Sequence, residues 1–182
     1  MALLAEEIVE EWLNRQGYFT IRGVGIGVHE IDLLALRACE NIVECRHIEV
    51  TASIRPMSYI TDLPKEICKR TGRSPKSAKQ RATEELKLGV NEWIEKKFNL
   101  PKKRMLRQKL YPGIWSCELV VHEVLHPEEL DFFREAGIKV FSLRDVVAEL
   151  SNKENLIRRA SGASLVDLIL LETNNRLNLP VS

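Results

Sequence analysis

The sequence lacks several features that would place it in a class of proteins at once. No run of apolar residues approaches the roughly 18 residues that a membrane-spanning helix needs. The first twelve residues are acidic and lack the basic start of a secretory leader, so we expect a cytoplasmic protein that does not enter a membrane. The four cysteines contain no C-x-x-C pair, which favours free thiols over zinc ligands or disulfides.

Length and glycine spacing also limit the possibilities. A chain of 182 residues suits one domain with a hydrophobic core. We expect this core in residues 1–150, and a helical extension in 151–182 that packs on the core or on a partner subunit. The glycines of segment 23–27 do not form a dinucleotide-binding fingerprint, because no third glycine opens a following helix.

Charge is unevenly distributed although the net charge is only +1. The segment Lys65–Lys109, which we call the basic block, has a balance of +10, and the remainder has a balance of −9. Such segregation indicates a surface that faces phosphate groups, most readily those of a nucleic acid and in particular double-stranded DNA. The alternative is a solvated, lysine-rich surface. The expected phosphate-binding side chains are Lys65, Lys69, Arg70, Arg73, Lys76, Lys79 and Arg81.

Hydrophobic periodicity predicts an α/β fold, with a mixed central sheet flanked by helices. Strand, helix and strand signals after residue 115 imply parallel pairing in the same sheet. The predicted helices are 3–16 (ended by Gly17), a short one near 64–70, 75–98 (capped by Ser74 and Pro75), 127–137, 143–150 and 164–177. The predicted strands are 18–22, 29–36, 41–50, 104–111, 115–124 and 138–141, with 23–27 and 37–40 as connections in an antiparallel meander.

Two acids stand at costly positions in the predicted hairpin. Asp32 and Glu44 each lie among apolar residues of neighbouring strands, and a buried carboxylate needs a partner. If the strand register places them opposite each other, the two carboxylates and a main-chain carbonyl would suit Mg²⁺ or Mn²⁺. Arg46 shares a face with Glu44, whereas His47 faces the other way, and we interpret it as a packing or surface residue.

These residues resemble a known superfamily. Ala5-Glu6, Gly17-Tyr18, Glu30-Ile31-Asp32 and Val43-Glu44-Cys45-Arg46 are similar to the motifs of the PD-(D/E)xK nucleases, nearest to the Holliday-junction resolvases and type IV restriction-like endonucleases. The resemblance covers about residues 1–125. It implies a restriction endonuclease-like fold, metal-dependent hydrolysis of DNA phosphodiester bonds, and a possible homodimer. Carried over to this chain, Asp32 and Glu44 are metal ligands, the main-chain carbonyl of Cys45 or of Val43 is a further ligand, Glu6 completes the metal shell or orients a water, and Gln80 is a loose candidate for a helix glutamine.

One position departs from the family pattern. Arg46 stands where the family has a lysine two residues after the second acid, and arginine keeps its proton at any biological pH. Three interpretations stay open. Arg46 supports catalysis by stabilising charge, or Lys65 or Lys69 reaches the site instead, or the protein binds DNA without cutting it. In a purely structural interpretation, Arg46 neutralises Glu44 across one face of the sheet.

A second motif competes with the nuclease interpretation. His122-Glu123-Val124-Leu125-His126 matches the H-E-x-x-H pattern of zinc peptidases, with Glu149 as a conceivable third ligand. That chemistry needs a helix, whereas the residues before His122 favour a strand and Pro127 disfavours helix at His126. On a strand the two histidines would lie about 13 Å apart. The alternative is that His122 is an ordinary strand residue and that His126 caps the next helix.

Overall fold

The computed structural model describes residues 2–53, 55–150, 156–157, 160 and 167–168, and the expected helix 164–177 lies almost entirely outside them. Five strands form one mixed sheet in the order β1-β2-β3-β4-β5. The strands are β1 (Phe19–Ile26), β2 (His29–Cys39), β3 (Ile42–Thr51), β4 (Trp115–Val121) and β5 (Lys139–Ser142). The helices are α1 (Ala2–Arg15), α2 (Lys65–Thr71), α3 (Thr83–Ile94), α4 (Pro101–Leu110), α5 (Glu128–Glu135) and α6 (Leu143–Leu150), with a π-helical turn, Glu95–Asn99, between α3 and α4.

The predicted α/β class is confirmed, together with the antiparallel meander and the parallel pairing after residue 115. β1, β2 and β3 form an antiparallel meander, whereas β4 joins β3 and β5 joins β4 in parallel. Helices cover both faces of the sheet. One apolar cluster packs α1 and α6 on the face that carries Leu33, Ile48 and Val120, and the other packs α3 and α5 on the face that carries Leu119 and Val121. Within the described residues, no helix is both long and apolar enough to cross a membrane.

The first helix is as predicted, because its apolar side chains recur at helical spacing. Ile8 and Trp12 are buried, and Gly17 terminates the helix with φ +86°. The amide of Tyr18 donates to the Leu13 carbonyl, and that of Gly17 donates to the Asn14 carbonyl. This pair of hydrogen bonds is a Schellman motif, which leads the chain directly into β1.

The glycine-rich segment is not the flexible connection that we expected. β1 continues through it to Ile26 and pairs with β2 along its length, so that only Gly27 and Val28 form the turn. The next turn is Glu40-Asn41, since Cys39 pairs with Ile42. Both hairpins therefore have two-residue turns, and strands β1 and β2 are longer than predicted.

The predicted helix 75–98 is wrong in its first part. The predicted strand 104–111 is wrong throughout. Residues 74–82 are not helical, because Arg73 and Arg81 donate to main-chain carbonyls of this segment and Glu85 accepts a hydrogen bond from the Ala82 amide just before α3. The predicted strand 104–111 lies in α4, which begins with Pro101 at its first position.

Candidate active site

Asp32 and Glu49 face each other across the central hairpin. Leu33 pairs with Ile48 in the antiparallel register, so the preceding residue of β2 lies opposite the following residue of β3. The side chain of Glu49 is 0% exposed and that of Asp32 is 14% exposed. The Val50 amide donates to Asp32 Oδ2 at 2.8 Å, which fixes this carboxylate against β3. Burial, and next the negative charge of Glu49, raise the pKa of Asp32.

Two lysines reach these carboxylates from sequence positions about fifty residues away. Lys97, in the π-helical turn, places Nζ 2.5 Å from Glu49 Oε2 and 3.9 Å from Asp32 Oδ1. Lys103, in α4, places Nζ 3.0 Å from Glu49 Oε1. Burial opposes the charge of Lys97, but the two carboxylates outweigh it and raise the pKa of the ammonium group. Lys97 therefore stays protonated and acts as a counterion to both acids.

A buried histidine orients Glu49 from behind. His47 Nε2 lies 3.0 Å from Glu49 Oε1, and Arg107 Nη1 lies 2.7 Å from His47 Nδ1. Because a guanidinium group can only donate, Nδ1 is the acceptor and Nε2 carries the proton that is donated to Glu49. Burial, together with the positive charges of Arg107 and Lys103, lowers the pKa of His47 to about 2. The imidazole is therefore neutral. His47 is buried in the core, so of the two roles considered for it, packing or surface residue, it has the packing role.

Lys103 and Arg107 explain why α4 is a helix despite its strongly polar sequence. They lie four residues apart, so one helix face carries both towards Glu49 and His47, and both residues are buried. Arg107 Nη2 also donates to the Phe98 carbonyl at 2.9 Å. These buried cations of α4 are thus part of the site and cannot be counted as surface charge.

Glu6 is close enough to Asp32 and Glu30 to be affected by their negative charges. It is buried on α1, and its pKa is raised by burial first and then by the charges of Asp32 and Glu30. Arg22 partly offsets this increase. The first-helix acid and the first strand acid of the predicted site are therefore electrostatic neighbours.

The expected pairing of Asp32 with Glu44 is wrong. Arg37, not Asp32, lies opposite Glu44 in the register. Arg37 Nη2 donates to Glu44 Oε2 at 2.7 Å, and the Tyr18 hydroxyl donates to the same oxygen. The hydrogen bond from Tyr18, together with the one from Arg37, lowers the pKa of Glu44, which is a half-exposed group at the far end of the strand.

Arg46 is also remote from Asp32. It lies on the opposite sheet face from Glu49 by strand parity. Arg46 Nε and Nη2 donate to Glu118 Oε2 at 2.9 and 2.5 Å, so that Glu118, and not Glu44, neutralises it. The Cys45 carbonyl, another expected ligand, accepts a hydrogen bond from Ser116 Oγ at 3.3 Å, and the Val43 carbonyl accepts one from the Cys45 thiol.

The side chains of the basic block that the sequence predicts to bind phosphate fall into two groups. Arg81 is buried, with Nη1 donating to the Thr61 carbonyl at 3.0 Å, and Arg73 forms an ion pair with Glu85 at 3.0 Å. Both stabilise the fold around residues 74–82, where Gln80 also lies. The remaining five are exposed and accessible to a polyanion, namely Lys65, Lys69, Arg70, Lys76 and Lys79.

The H-E-x-x-H motif is not helical. β4 ends at Val121, His122 Nδ1 lies 3.0 Å from the Ser53 carbonyl, and the His126 ring stacks on Tyr59 with centroids 4.4 Å apart. Glu149 accepts a hydrogen bond from the Trp12 indole at 2.6 Å. Across the described part of the chain, no group of three or more His, Cys, Asp or Glu side chains is close enough together to hold a metal ion.

Three functional candidates were missed from the sequence, namely Glu49, Lys97 and Lys103. A signal for Glu49 was present, because it lies among the apolar residues Ile48 and Val50 as Asp32 does among its neighbours. A two-residue turn at Glu40-Asn41 would have placed it opposite Asp32. No local pattern identifies the lysines, because their contact with Glu49 depends on how α4 packs.

Comparison with family models, curated proteins and solved structures finds no match to this chain.

Proposed function

We propose that this protein is a metal-dependent nuclease that hydrolyses DNA phosphodiester bonds at a site built on Asp32 and Glu49. The observation that carries the proposal is the juxtaposition of the fully buried Glu49 carboxylate and the mostly buried Asp32 carboxylate on neighbouring strands, with the Lys97 ammonium against both. The order of one helix, a three-stranded antiparallel meander and a later parallel strand agrees with the restriction endonuclease-like fold that the resemblance implies. Glu49 replaces Glu44 as the second acid of the motif.

The donor set suits a hard divalent cation. Asp32 Oδ1 and Glu49 Oε2 are carboxylate oxygens that share a single cation, the Lys97 ammonium. Mg²⁺ prefers such oxygens and usually binds through one or two carboxylates together with water and phosphate. Asp32 and Glu49 would hold the ion, with Lys97 moving aside. When bound, the ion would lower the pKa of water and polarise a phosphoryl oxygen.

The protein's own residues have separate roles in this proposal. Lys97 stays protonated, so it cannot be a general base, but it can bind a non-bridging phosphate oxygen. Glu6 has a raised pKa and is affected by the negative charge of Asp32, which suits a group that accepts a proton from the attacking water. His47 and Lys103 orient the Glu49 carboxylate through hydrogen bonds, and Arg107 in turn holds His47. Arg46 has no role in cleavage.

The substrate class is supported by the exposed cations of the basic block. Lys65, Lys69, Arg70, Lys76 and Lys79 would contact the DNA backbone, because they are accessible and belong to the strongly positive part of the chain. Lys102 and Arg104, which are exposed on α4 on either side of the buried lysine of the site, add to this positive surface.

A second candidate is a DNA-binding module that does not cut. It is favoured by the three donors around Glu49, since the carboxylate already accepts hydrogen bonds from Lys97, Lys103 and His47. In this case Lys97 would permanently take the place of the metal, and the acidic pair would be a structural ion cluster. The two candidates share the fold and the basic surface and differ only in whether Lys97 leaves Asp32.

Cleavage of supercoiled plasmid with Mg²⁺ or Mn²⁺ tests the proposal. We expect cleavage by the wild type, loss of cleavage with Asp32→Asn, and retention with the matched variant Glu44→Gln. Calorimetric titration of Mn²⁺ should show a binding event that Asp32→Asn removes. DNA binding without cleavage or metal binding would support the silent module, and cleavage that survives Asp32→Asn would refute the site.

A further inference from the structure

A cleft of about 620 Å³ opens at the opposite edge of the sheet from Asp32 and Glu49. We call it the amino-edge cleft, because it lies where the parallel strands β3, β4 and β5 begin. Its volume is within the range of sites that take small organic ligands. Residues that line it and matter here are Trp12, Tyr18, Arg46, Ile114, Lys139 and Phe141.

Arg46 is built into the wall of this cleft. Its side chain is only 10% exposed, and the guanidinium carbon lies 4.8 Å from the Trp12 ring centroid and 5.0 Å from that of Tyr18. Nε and Nη2 are both engaged with Glu118. Nη1 makes no hydrogen bond to any residue that the structure describes. A guanidinium held this firmly, with one amino group left over, is a preorganised hydrogen-bond donor.

A second cation stands beside it. Lys139 is the Cα partner of Glu118 in the β4–β5 register, and it is exposed at the rim of the cleft. It forms no ion pair within the described chain. Three carboxylates also line the cleft, and each has another partner. Glu118 is paired with Arg46, Glu44 is paired with Arg37, and Glu149 accepts a hydrogen bond from the Trp12 indole, so the charge of Lys139 is available to a ligand. The rim also carries Ile114, an apolar side chain that is 94% exposed.

We propose that the amino-edge cleft binds a small organic molecule through an oxyanion group, a carboxylate or a phosphate. The oxyanion would accept hydrogen bonds from Arg46 Nη1 and from the Lys139 ammonium. The apolar body of the ligand would lie against Phe141 and Ile114. This site is independent of the proposed nuclease activity, because Arg46 and Glu49 point to opposite faces of the sheet.

Calorimetric titration with three probes of equal ring size tests the proposal. Benzoate and phenyl phosphate supply the two oxyanions on the same apolar body, and benzamidine supplies a cation. We expect at least one of the anions to bind, with the tighter one identifying the head group, and benzamidine not to bind. Failure of both anions to bind at millimolar concentration, or equal binding of benzamidine, would overturn the proposal.

Variants locate the binding. Lys139→Ala should weaken the binding of the anion roughly tenfold, as expected for the loss of one charged hydrogen bond. Lys109→Ala, which changes an exposed lysine of α4, is the matched control and should leave affinity unchanged. Arg46→Lys keeps a cation beside Glu118 but loses Nη1, and it should abolish binding while circular dichroism shows a folded protein. Equal affinity for wild type and Lys139→Ala would place the anion elsewhere and refute this site.

Discussion

Glu49 and Lys103 form a buried ion pair that connects the middle of the sheet to α4. The ammonium lies 3.0 Å from the carboxylate, and the two side chains are 0% and 2% exposed. A charge this deeply buried is tolerated only with its partner, since desolvation costs several kcal/mol per ion. The pair therefore determines where α4 packs against the sheet and keeps the Glu49 carboxylate in place beside Asp32.

Glu49→Gln should destabilise the protein strongly. It leaves Lys103 as a buried cation without its carboxylate, and breaking such a pair costs about 3–5 kcal/mol. Glu44→Gln is the matched control in the same strand. Its carboxylate is 36% exposed and pairs with Arg37, and partly exposed pairs contribute only about 0–1 kcal/mol. Urea unfolding of both variants measures the difference, and equal losses would contradict the buried pair.

Asp32→Asn should be neutral or stabilising at pH 7, although it removes the proposed activity. The folded-state pKa of Asp32 lies above its ordinary value of 3.8. Between these two values the folded protein binds more protons than the unfolded chain, so the stability contributed by Asp32 falls as pH rises through that window. Asparagine carries no charge and avoids this cost.

The pH dependence separates this explanation from a simple packing effect. The stability difference between Asp32→Asn and wild type should be largest at neutral pH and should shrink towards zero below about pH 3.8, where aspartate is protonated in both states. Denaturant unfolding at several pH values measures it. A stability difference that does not change with pH would show that the folded protein does not disfavour the ionised form of Asp32.

The fold was largely predictable, because most of its strands and helices are indicated by the local spacing of apolar residues and by the turn-forming residues between them. The meander, β4, β5 and α6 all appear close to their predicted places. The pairing within the hairpin was not predictable to the residue, since moving the turn from 37–40 to Glu40-Asn41 changes the partner of Asp32. An error of a few residues in a turn is enough to select the wrong second acid.

The lysines of the site were unpredictable for a different reason. The sequence Pro101–Leu110 is mostly basic, and its apolar residues do not identify the buried face, because Met105 and Leu110 are exposed. The buried face is instead defined by Lys103 and Arg107, whose partners Glu49 and His47 lie on a strand far away in sequence. Ion pairs of this kind depend on tertiary packing and leave no periodic signal.

His47 should remain neutral throughout the physiological pH range, with its proton on Nε2. Its pKa is lowered to about 2 in the folded protein, while the unfolded chain takes up a proton near pH 6.5. The unfolded state therefore binds more protons below pH 6.5, and stability decreases as pH falls through the window from 6.5 to about 2, by roughly 1.4 kcal/mol per unit at most.

Nitrogen-15 NMR of the His47 imidazole tests this assignment directly. The Nε2 resonance should keep the chemical shift of a protonated nitrogen, and Nδ1 that of an acceptor, with no titration between pH 5 and 8. Arg107→Met removes the donor to Nδ1 and should be the one variant that allows the other tautomer. A His47 signal that titrates in the wild type would show that the hydrogen bonds from Arg107 to His47 and from His47 to Glu49 are not both formed.

The basic block should contribute to DNA binding through its exposed side chains only. Each phosphate contact contributes about 0.9 to the slope of log affinity against log salt concentration, so Lys76→Ala with Lys79→Ala should reduce that slope by about 2. Arg81→Met should leave the slope unchanged, because this guanidinium is buried against Thr61, and should lower thermal stability instead. Fluorescence anisotropy with a labelled duplex at several salt concentrations measures both. A change in slope with Arg81→Met, or none with the two lysine substitutions, would place the DNA on another surface of the protein.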